Sequence, residues 1–255
     1  MKDFTVLIPV YNAKEATEFT IRTLYAAAHP HIHEFFIADS STDGVTSQML
    51  LNLKNEIPCL NIVRHIPSLN HPHAMQNLCS QDIKTPYVFT SDSDVEYYSC
   101  RDFDDAVEYF KDPQVAMTGP YYPDRKHPYH EKSILSEYIV CWAMAIRTPI
   151  AQKYGIRWLD GLQTEKDGYT TEYDCGAKFF TTVVREDGWK YGDVPESKMP
   201  PSHRHFTGQS RWKDMTQGHT HIPIGSFQQH MQNIENEIKL KLQNKTWIQI
   251  KACNE

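Results

Sequence analysis

Apolar runs that end in polar turn residues, each followed by a helix-like segment, recur along the first hundred residues. The first run is 4–10, it ends at Tyr11 and Asn12, and residues 15–28 after it have helical apolar spacing. Strands that alternate with helices predict an α/β fold with a mostly parallel central sheet flanked by helices. The other strand-like runs are 35–38, 60–63, 86–89 and 114–117, and the other helix-like segments are 45–53, 73–79 and 101–110.

Polar residues follow the predicted strands where each strand ends. Tyr11, Asp39 and Asp92 all fall at such ends, and ligand sites of parallel sheets lie in the crevice beyond the carboxyl ends of the strands. Ser93 and Asp94 complete an Asp-x-Asp turn with Asp92. Its carboxylate oxygens are ligands that Mg²⁺ and Mn²⁺ prefer, although Asp and Ser also form ordinary turns by bonding their own backbone.

Six short motifs resemble those of glycosyltransferase family 2 in their order and spacing. The likeness covers roughly residues 4–205. The motifs are Ile8-Pro9-Val10-Tyr11-Asn12, Asp39-Ser40-Ser41-Thr42-Asp43-Gly44, Asn70 through Asn77, Asp92-Ser93-Asp94, Glu172-Tyr173-Asp174 with Gly188-Trp189 further on, and His203-Arg204-His205.

The resemblance implies a GT-A-type, Rossmann-like catalytic domain over residues 1–205. Its nucleotide-binding half would be about 1–98 and its acceptor-binding half about 99–205. Residues 206–255 would form a C-terminal extension packed on the same domain. The implied activity is inverting transfer of a sugar from a nucleotide-diphospho-sugar, with uridine as the expected nucleoside, to an acceptor hydroxyl.

The resemblance also implies roles for individual residues. Asp39 would bond the nucleotide base beside Tyr11, and the donor-binding residues would be Pro9, Tyr11, Asn12, Asp39, Asn70, Asn77, Asp92 and Ser93. Mn²⁺ or Mg²⁺ would be held by Asp94 with His203 or His205, and by Asp92 through water. Asp174 would be the catalytic base. The residues expected to bind the acceptor are Trp158, Asp160, Glu172, Arg211 and Trp212.

Two positions depart from the family pattern. Pro72 stands where the third motif usually has glycine, which predicts a different path for that loop. The acidic motif is commonly Glu-Asp, whereas here Tyr173 precedes Asp174. We prefer Asp174 as base because its spacing to Gly188 fits better than that of Glu172.

Composition is that of a single compact domain without a membrane anchor. The 255 residues are 40% hydrophobic, and no apolar stretch approaches the roughly 20 residues needed to cross a bilayer. The start lacks the features of a leader peptide, so the expected location is the cytoplasm, or the host cytoplasm for a viral protein. Six cysteines without close pairing favour reduced thiols over disulfides.

The acceptor is the least determined part of this interpretation. A glycan or lipid-linked glycan is the acceptor class that the resemblance favours, and a hydroxymethylated DNA base is the second. The net charge of −6 does not favour bulk attraction to nucleic acid, although the C-terminal quarter is locally basic. The sequence does not predict the oligomeric state.

Three other interpretations stay open. A sugar-phosphate nucleotidyltransferase would also use such a sheet, but residues 9–14 lack the glycines of its phosphate loop. A noncatalytic nucleotide-sugar binder is disfavoured because Asp92, Asp94 and Asp174 are all present. The histidines 203, 205, 219 and 221 could instead form a structural zinc site.

Overall fold

Strands and helices alternate through the first half of the chain. The computed structural model describes residues 2–123, 125–126, 133–155, 162–166, 169–173, 176–195, 201–206, 226–250 and 252. The strands of the first half are β1 (Phe4–Val10), β2 (Ile32–Asp39), β3 (Leu60–Arg64), β4 (Tyr87–Thr90) and β5 (Val95–Tyr97). Its helices are α1 (Lys14–Ala28), α2 (Val45–Glu56), α3 (His71–Cys79) and α4 (Arg101–Tyr109).

The second half has shorter strands and fewer helices. Its strands are β6 (Val115–Gly119), β7 (Tyr121–Tyr122), β8 (Arg125–Lys126), β9 (Ser133–Leu135), β10 (Tyr138–Ile139), β11 (Met144–Arg147), β12 (Leu162–Lys166), β13 (Tyr169–Tyr173), β14 (Lys190–Asp193) and β15 (His203–His205). Its helices are α5 (Thr148–Tyr154), α6 (Ala177–Phe180), which continues as a π-helical segment Thr181–Glu186, and α7 (Ser226–Gln243), with 3₁₀ turns at Cys141–Ala143 and Thr246–Gln249.

Within the described ranges, seven strands form the central sheet in the order β14-β6-β11-β4-β1-β2-β3. β1 pairs in parallel with both β2 and β4, and β2 pairs in parallel with β3. β11 is antiparallel to both of its neighbours, β4 and β6. The predicted α/β fold with a mostly parallel sheet is therefore confirmed, with one antiparallel strand inserted between parallel ones.

Helices cover both faces of this sheet, because successive side chains of a strand point to opposite faces. Phe4, Val6 and Ile8 of β1 belong to the core on the side of α1, α2 and α4, whereas Leu7 belongs to the core that contains Leu78 of α3. All four β1 side chains are fully buried. Burying each of them contributes roughly 1.5–3 kcal/mol, which fixes the register of β1 at the centre of the sheet.

The parallel core strands end at one edge of the sheet. β1 is followed by Tyr11 and Asn12, β2 ends at Asp39, and β4 is followed by Ser91 and Asp92. Because β2, β1 and β4 are adjacent and parallel, the polar residues at their ends meet along that edge. Asp39 and Asp92 follow strands that are two positions apart, about 10 Å in the direction of strand pairing.

Helix α7 packs against α1. Met231, Ile234 and Ile238 are buried there with Ala16 and Phe19 of α1. For the domain organisation, we propose that residues 206–255 are an extension packed on the catalytic domain. We also propose that residues 1–205 divide into two halves near residue 98. Within the described residues, no helix is both long enough and apolar enough to span a bilayer.

The cysteines differ in oxidation state. Cys59, Cys79 and Cys141 are not disulfide-bonded, whereas Cys100 is. The expectation of reduced thiols is therefore wrong at Cys100, because pairing depends on proximity in the fold, which spacing along the chain does not give. Since disulfides are rare in cytosolic proteins, this bond does not favour the expected cytoplasmic location.

Candidate active site

Asn12 holds the loop after β1 against the loop after β2. Its side-chain amide donates to Thr42 Oγ1 at 2.9 Å, and its Oδ1 accepts from the backbone N–H groups of Thr42 and Asp43 at 2.7 and 3.1 Å. The residue is buried and has φ 47°, a left-handed conformation that asparagine tolerates better than most residues. Asn12, predicted to bind the sugar donor, therefore shapes the loop after β2 by hydrogen bonds to Thr42 and Asp43.

Asp39 is buried at the end of β2 and forms an ion pair. Its Oδ1 accepts from the backbone N–H of Ser41 at 3.0 Å, and its Oδ2 lies 2.8 Å from Nη1 of Arg64, the last residue of β3. Pro9 is buried within β1 opposite Ala38, and Tyr11 is half-buried just beyond the strand. The pair of Asp39 and Arg64 presents an acceptor and a donor side by side.

The third motif forms helix α3. Asn70 caps the helix by accepting a hydrogen bond from the N–H of His73, and Pro72 stands in the first turn, where a missing N–H costs no helical bond. The proline that replaces the family's glycine thus starts a helix. Asn77 lies near the opposite end of α3, where its Oδ1 accepts from Gln81, so Asn70 and Asn77 are not brought together.

The acidic turn after β4 meets one histidine. Nε2 of His205 lies 3.0 Å from Oδ1 of Asp94 and 3.4 Å from Oδ2 of Asp92. One ligand atom from each of these three residues lies within 4.8 Å of the others. Ser93, between the two aspartates, is buried. Two carboxylates and an imidazole thus converge on one point at the sheet edge.

Strand pairing brings His205 to this turn. β15 runs antiparallel to β5, so that His205 lies opposite Val95, next to Asp94, and the N–H of Phe206 donates to the carbonyl of Asp94 at 2.8 Å. Helix α1 fixes β5 from the other side, since the hydroxyls of Thr20 and Thr23 accept from the backbone N–H groups of Val95 and Tyr97.

His203 is held away from the acidic turn. It lies opposite Tyr97, further along β5 from the turn, and its Nδ1 lies 2.9 Å from Oδ2 of the buried Asp102. The two histidines alternate along one strand, but only the one at the turn end of the pairing reaches the carboxylates. The geometry therefore does not support His203 as a metal ligand and narrows that proposal to His205.

Opposite charges stabilise each other in this cluster. Burial acts to lower the pKa of His205, but hydrogen bonds and attraction from Asp92 and Asp94 outweigh it and raise the pKa to about 10. Burial acts to raise the pKa of Asp92, but His205 and His71 outweigh it and hold that pKa well below its usual range. Without a bound cation, a protonated His205 balances the charge of the two adjacent carboxylates, and a metal ion would replace that proton.

Two residues at this site were not among the predicted ones. His71, the first residue of α3, places Nε2 3.1 Å from Oδ1 of Asp92, and the ring of Trp142 stacks on that of His205 at 4.4 Å with a 9° interplanar angle. His71 belongs to the third family motif, Asn70 through Asn77, so its presence in the site could have been predicted from that motif. Trp142 lies in an apolar run that gives no such signal.

Charged residues of α7 hold the β5–β15 pair from outside. Lys241 Nζ lies 2.8 and 2.7 Å from the two carboxylate oxygens of the buried Glu96, and 3.0 Å from Glu237. Glu237 also accepts from Arg204 of β15 at 2.8 Å. Glu96 and Arg204 lie opposite each other across the strand pair. Helix α7 is therefore tied by ion pairs to β5, which follows the acidic turn, and to β15, which contains His205.

Replacing Lys241 with methionine should destabilise the fold, because Glu96 would keep its buried charge and lose its cation. We expect the free energy of unfolding in urea to fall by about 1.5–3 kcal/mol in metal-free protein. The matched control is Lys239→Met on the same helix, whose partner is Glu235, with an expected change within about 0.5 kcal/mol. Equal losses in both variants would show that the ion pair to Glu96 has no special role.

Several predicted site residues lie outside the described part of the chain. These are Asp174, the predicted base, and Trp158, Asp160, Arg211 and Trp212, predicted to contact acceptor. Glu172 lies in β13, opposite Gln163 of β12 and Leu135 of β9. Its role, like theirs, remains a proposal.

The potential metal ligands at the acidic turn suit a divalent cation. Carboxylate oxygens suit both Mg²⁺ and Mn²⁺, and an imidazole nitrogen adds preference for the transition metal. Asp92, Asp94 and His205 would hold such an ion, and their side chains are already grouped to within the span of one coordination sphere.

The fold and the site together define a class of protein. An open, mostly parallel sheet whose strand ends carry polar loops is the architecture of nucleotide-binding α/β domains. The family model described as glycosyl transferase family 2 matches residues 5–175, about two thirds of the chain. The chain belongs to glycosyl transferase family 2 and is a glycosyltransferase.

Solved structures with the same fold are distant in sequence. A mannosyltransferase, PcManGT from Pyrobaculum calidifontis, in complex with GDP-Man and Mn²⁺, superposes with TM-score 0.56 at 16% identity, covering 97% of this chain and 72% of that one. S. aureus TarS residues 1–349 superposes with TM-score 0.55 at 12% identity, covering 94% and 71%. No protein of curated function matches the sequence. At these identities the likeness shows the GT-A fold, which confirms the predicted class.

Proposed function

We propose that this glycosyltransferase moves a sugar from a nucleoside-diphosphate sugar to an acceptor hydroxyl, with a divalent cation and with inversion at the anomeric carbon. One observation carries the proposal: Asp92, Asp94 and His205, from two distant parts of the chain, converge on one edge of the sheet two strand positions from Asp39. A nucleotide laid along that edge would reach both ends of the site.

The cation-binding group would be Asp94 and His205, with Asp92 beside them. When bound there, Mn²⁺ or Mg²⁺ would supply positive charge to the diphosphate as it departs. Asp94 is buried, and Trp142 stacks on His205, so both side chains are restricted before any ligand arrives. The PcManGT complex, which contains Mn²⁺ together with GDP-Man, supports this assignment by analogy of fold.

The chain's own base would be Asp174. Its carboxylate would take the proton from the acceptor hydroxyl while the hydroxyl oxygen attacks the anomeric carbon from the face opposite the diphosphate, which inverts the configuration. The position of Asp174 in the acidic motif of the family supports this role as catalytic base. Glu172, two residues earlier, is the competing carboxylate.

The pair of Asp39 and Arg64 suits one kind of nucleotide base. A carboxylate accepts a ring N–H, and a neighbouring guanidinium donates to a ring carbonyl. Uracil, thymine and guanine carry that N–H next to a carbonyl, whereas adenine and cytosine do not. The proposed donor is therefore a uridine, thymidine or guanosine diphosphate sugar, with uridine preferred by the family resemblance.

Calorimetry with free nucleoside diphosphates tests this selection. We expect UDP or GDP to bind at least tenfold more tightly than ADP and CDP in the presence of Mn²⁺. Asp39→Asn replaces one acceptor oxygen with a donor, and the preference should shrink by about 10–100-fold, since hydrogen bonds to charged groups contribute roughly 1.5–3 kcal/mol. Equal affinities for all four nucleotides would remove Asp39 and Arg64 from base recognition.

The proposed acceptor is a glycan or lipid-linked glycan. Basic residues of the C-terminal region could have favoured DNA, but Arg204, Lys239 and Lys241 each pair with a carboxylate. Cations neutralised in this way do not release counterions from phosphates. A hydroxymethylated DNA base, flipped from the duplex, therefore remains the second candidate acceptor.

The decisive assay is incubation of the protein with a panel of nucleotide sugars, with and without Mn²⁺. Release of nucleoside diphosphate that requires the cation supports the transferase. Release of pyrophosphate from a nucleoside triphosphate and a sugar phosphate would instead indicate a nucleotidyltransferase, and absence of any turnover a binding protein. Adding glycan acceptors and hydroxymethylated DNA in parallel identifies the acceptor class by the stimulation each produces.

A further inference from the structure

A cysteine that is not disulfide-bonded lies beside the acidic turn and has no role in the proposed transfer. Cys141 is buried at the start of the 3₁₀ turn before β11. Its Sγ, the imidazole of His71 and a carboxylate oxygen of Asp92 all lie within 4.8 Å of one another. Nitrogen, oxygen and sulfur from three separate segments of the chain thus lie within the span of one coordination sphere.

The surrounding structure fixes this arrangement. The hydroxyl of Thr90, the last residue of β4, donates to the carbonyl of Cys141 at 2.6 Å, which ties the thiol-bearing turn to the strand that leads into Asp92. His71 Nε2 lies 3.1 Å from Asp92 Oδ1. His71 is half-exposed, so a small ion can reach the group from solvent.

The chemistry of the two groups that share Asp92 differs. The group of Asp92, Asp94 and His205 has two carboxylates and suits Mn²⁺ or Mg²⁺. The group of His71, Asp92 and Cys141 replaces one carboxylate with sulfur. Thiolate and imidazole select softer cations, and three protein ligands with an open fourth position are common at zinc sites.

We infer that His71, Asp92 and Cys141 form a site for Zn²⁺, and that zinc bound there excludes the cation needed for glycosyl transfer. The binding site stands on the geometry alone, whereas the inhibitory consequence rests on the proposed function. Asp92 belongs to both groups, with Oδ1 facing His71 and Oδ2 facing His205. Zinc at the first group would therefore place a second positive charge close to the cation at the other group, and this repulsion disfavours binding of both ions together.

A third group of potential ligands, His31, Cys100 and Asp104, is not proposed as a zinc site. Its sulfur belongs to a disulfide-bonded cysteine, and a disulfide sulfur is not the thiolate that binds zinc. Among the described residues, the group around Cys141 is therefore the one that combines a cysteine outside any disulfide with an imidazole and a carboxylate.

Cobalt reports directly on a sulfur ligand. Co²⁺ replaces Zn²⁺ in such sites, and a cobalt–thiolate bond produces an intense near-ultraviolet charge-transfer band that oxygen and nitrogen ligands do not produce. We expect this band when Co²⁺ is added to the metal-free full-length protein. It should disappear in Cys141→Ser and persist in Cys59→Ser, the matched control that removes a different free and more exposed thiol.

A second pair of variants separates this site from the proposed manganese site. Asp94→Ala should lose Mn²⁺ binding and keep the cobalt–thiolate band, whereas Cys141→Ser should lose the band and keep its Mn²⁺ affinity within about threefold. His71→Ala, a change at a half-exposed residue that the fold can accommodate, should weaken Zn²⁺ binding measured by calorimetry by at least about tenfold.

Each outcome has one meaning. A band that survives in Cys141→Ser, or no band in the unmodified protein at saturating Co²⁺, would overturn the zinc site. Loss of the band in Cys141→Ser together with unchanged Mn²⁺ binding in Asp94→Ala would support the zinc site and overturn the proposed manganese site. Full activity in the presence of bound Zn²⁺ would overturn the exclusion of the catalytic cation.

Discussion

Asp94→Ala should reduce the Mn²⁺-dependent affinity for nucleoside diphosphate by at least about 100-fold and lower glycosyl transfer below detection. Asp94 is buried and lies 3.0 Å from His205, so its loss removes a proposed cation ligand and the main partner of that histidine together. Asp94 and His205 would hold the cation, which would supply positive charge to the bound diphosphate, and nucleotide binding without it would depend on contacts to the base and ribose.

Calorimetry with UDP or GDP, with and without Mn²⁺, measures this effect. The unmodified protein should bind nucleotide more tightly with the cation, and Asp94→Ala should show the weaker affinity under both conditions. Asp82→Ala is the control, because Asp82 is an exposed carboxylate that pairs with the exposed Lys84, and the substitution should leave binding unchanged. Normal manganese-dependent affinity in Asp94→Ala would refute its role as a ligand.

Asp174→Asn should lower the turnover number by about 10²–10⁴-fold while nucleotide and Mn²⁺ affinities stay near those of the unmodified protein. Asparagine keeps the size of the side chain and cannot take a proton from the acceptor hydroxyl. Single-turnover measurements with saturating donor isolate this step from binding and product release.

Glu172→Gln is the informative counterpart to that variant. Both carboxylates belong to the same acidic motif, and the preference for Asp174 depends on its spacing to Gly188. Loss of turnover in Glu172→Gln with normal turnover in Asp174→Asn would move the role of base to Glu172. Losses of similar size in both variants would indicate that one carboxylate is the base and the other orients the acceptor.

The sequence predicted the half of the fold whose contacts are local. The alternation of β1, α1, β2, α2, β3, α3 and β4 follows from apolar periodicity and turn residues, and the structure confirms these elements to within a few residues. Right-handed connections between parallel strands then leave few possible arrangements. The positions of Asp39 and Asp92 at one edge follow from the same rule.

Elements paired over long distances in the chain were not predictable in this way. β11 lies antiparallel between β4 and β6, and its apolar sequence does not indicate whether the strand is parallel or antiparallel to its neighbours. The pairing of β15 with β5 joins segments about a hundred residues apart, and it decides that His205, not His203, meets the acidic turn. Alternation along a strand could not distinguish these two histidines, because it places both on one face.

Other features depend on chemistry that no spacing encodes. The contact of His71 with Asp92, the stacking of Trp142 on His205 and the position of the Cys141 thiol arise from packing between α3, the acidic turn and the segment before β11. The ion pairs of Lys241 likewise depend on where α7 lies against α1. Such contacts require the tertiary structure itself.

The most direct test is the position of manganese in a crystal of the protein grown with Mn²⁺ and UDP or GDP. Anomalous scattering locates the ion without reference to any assumed ligand set. We predict a peak at Asp94 and His205, with Asp92 and the diphosphate of the nucleotide beside it. A peak between His203 and Asp102, or a nucleotide bound with its diphosphate away from the acidic turn, would contradict it.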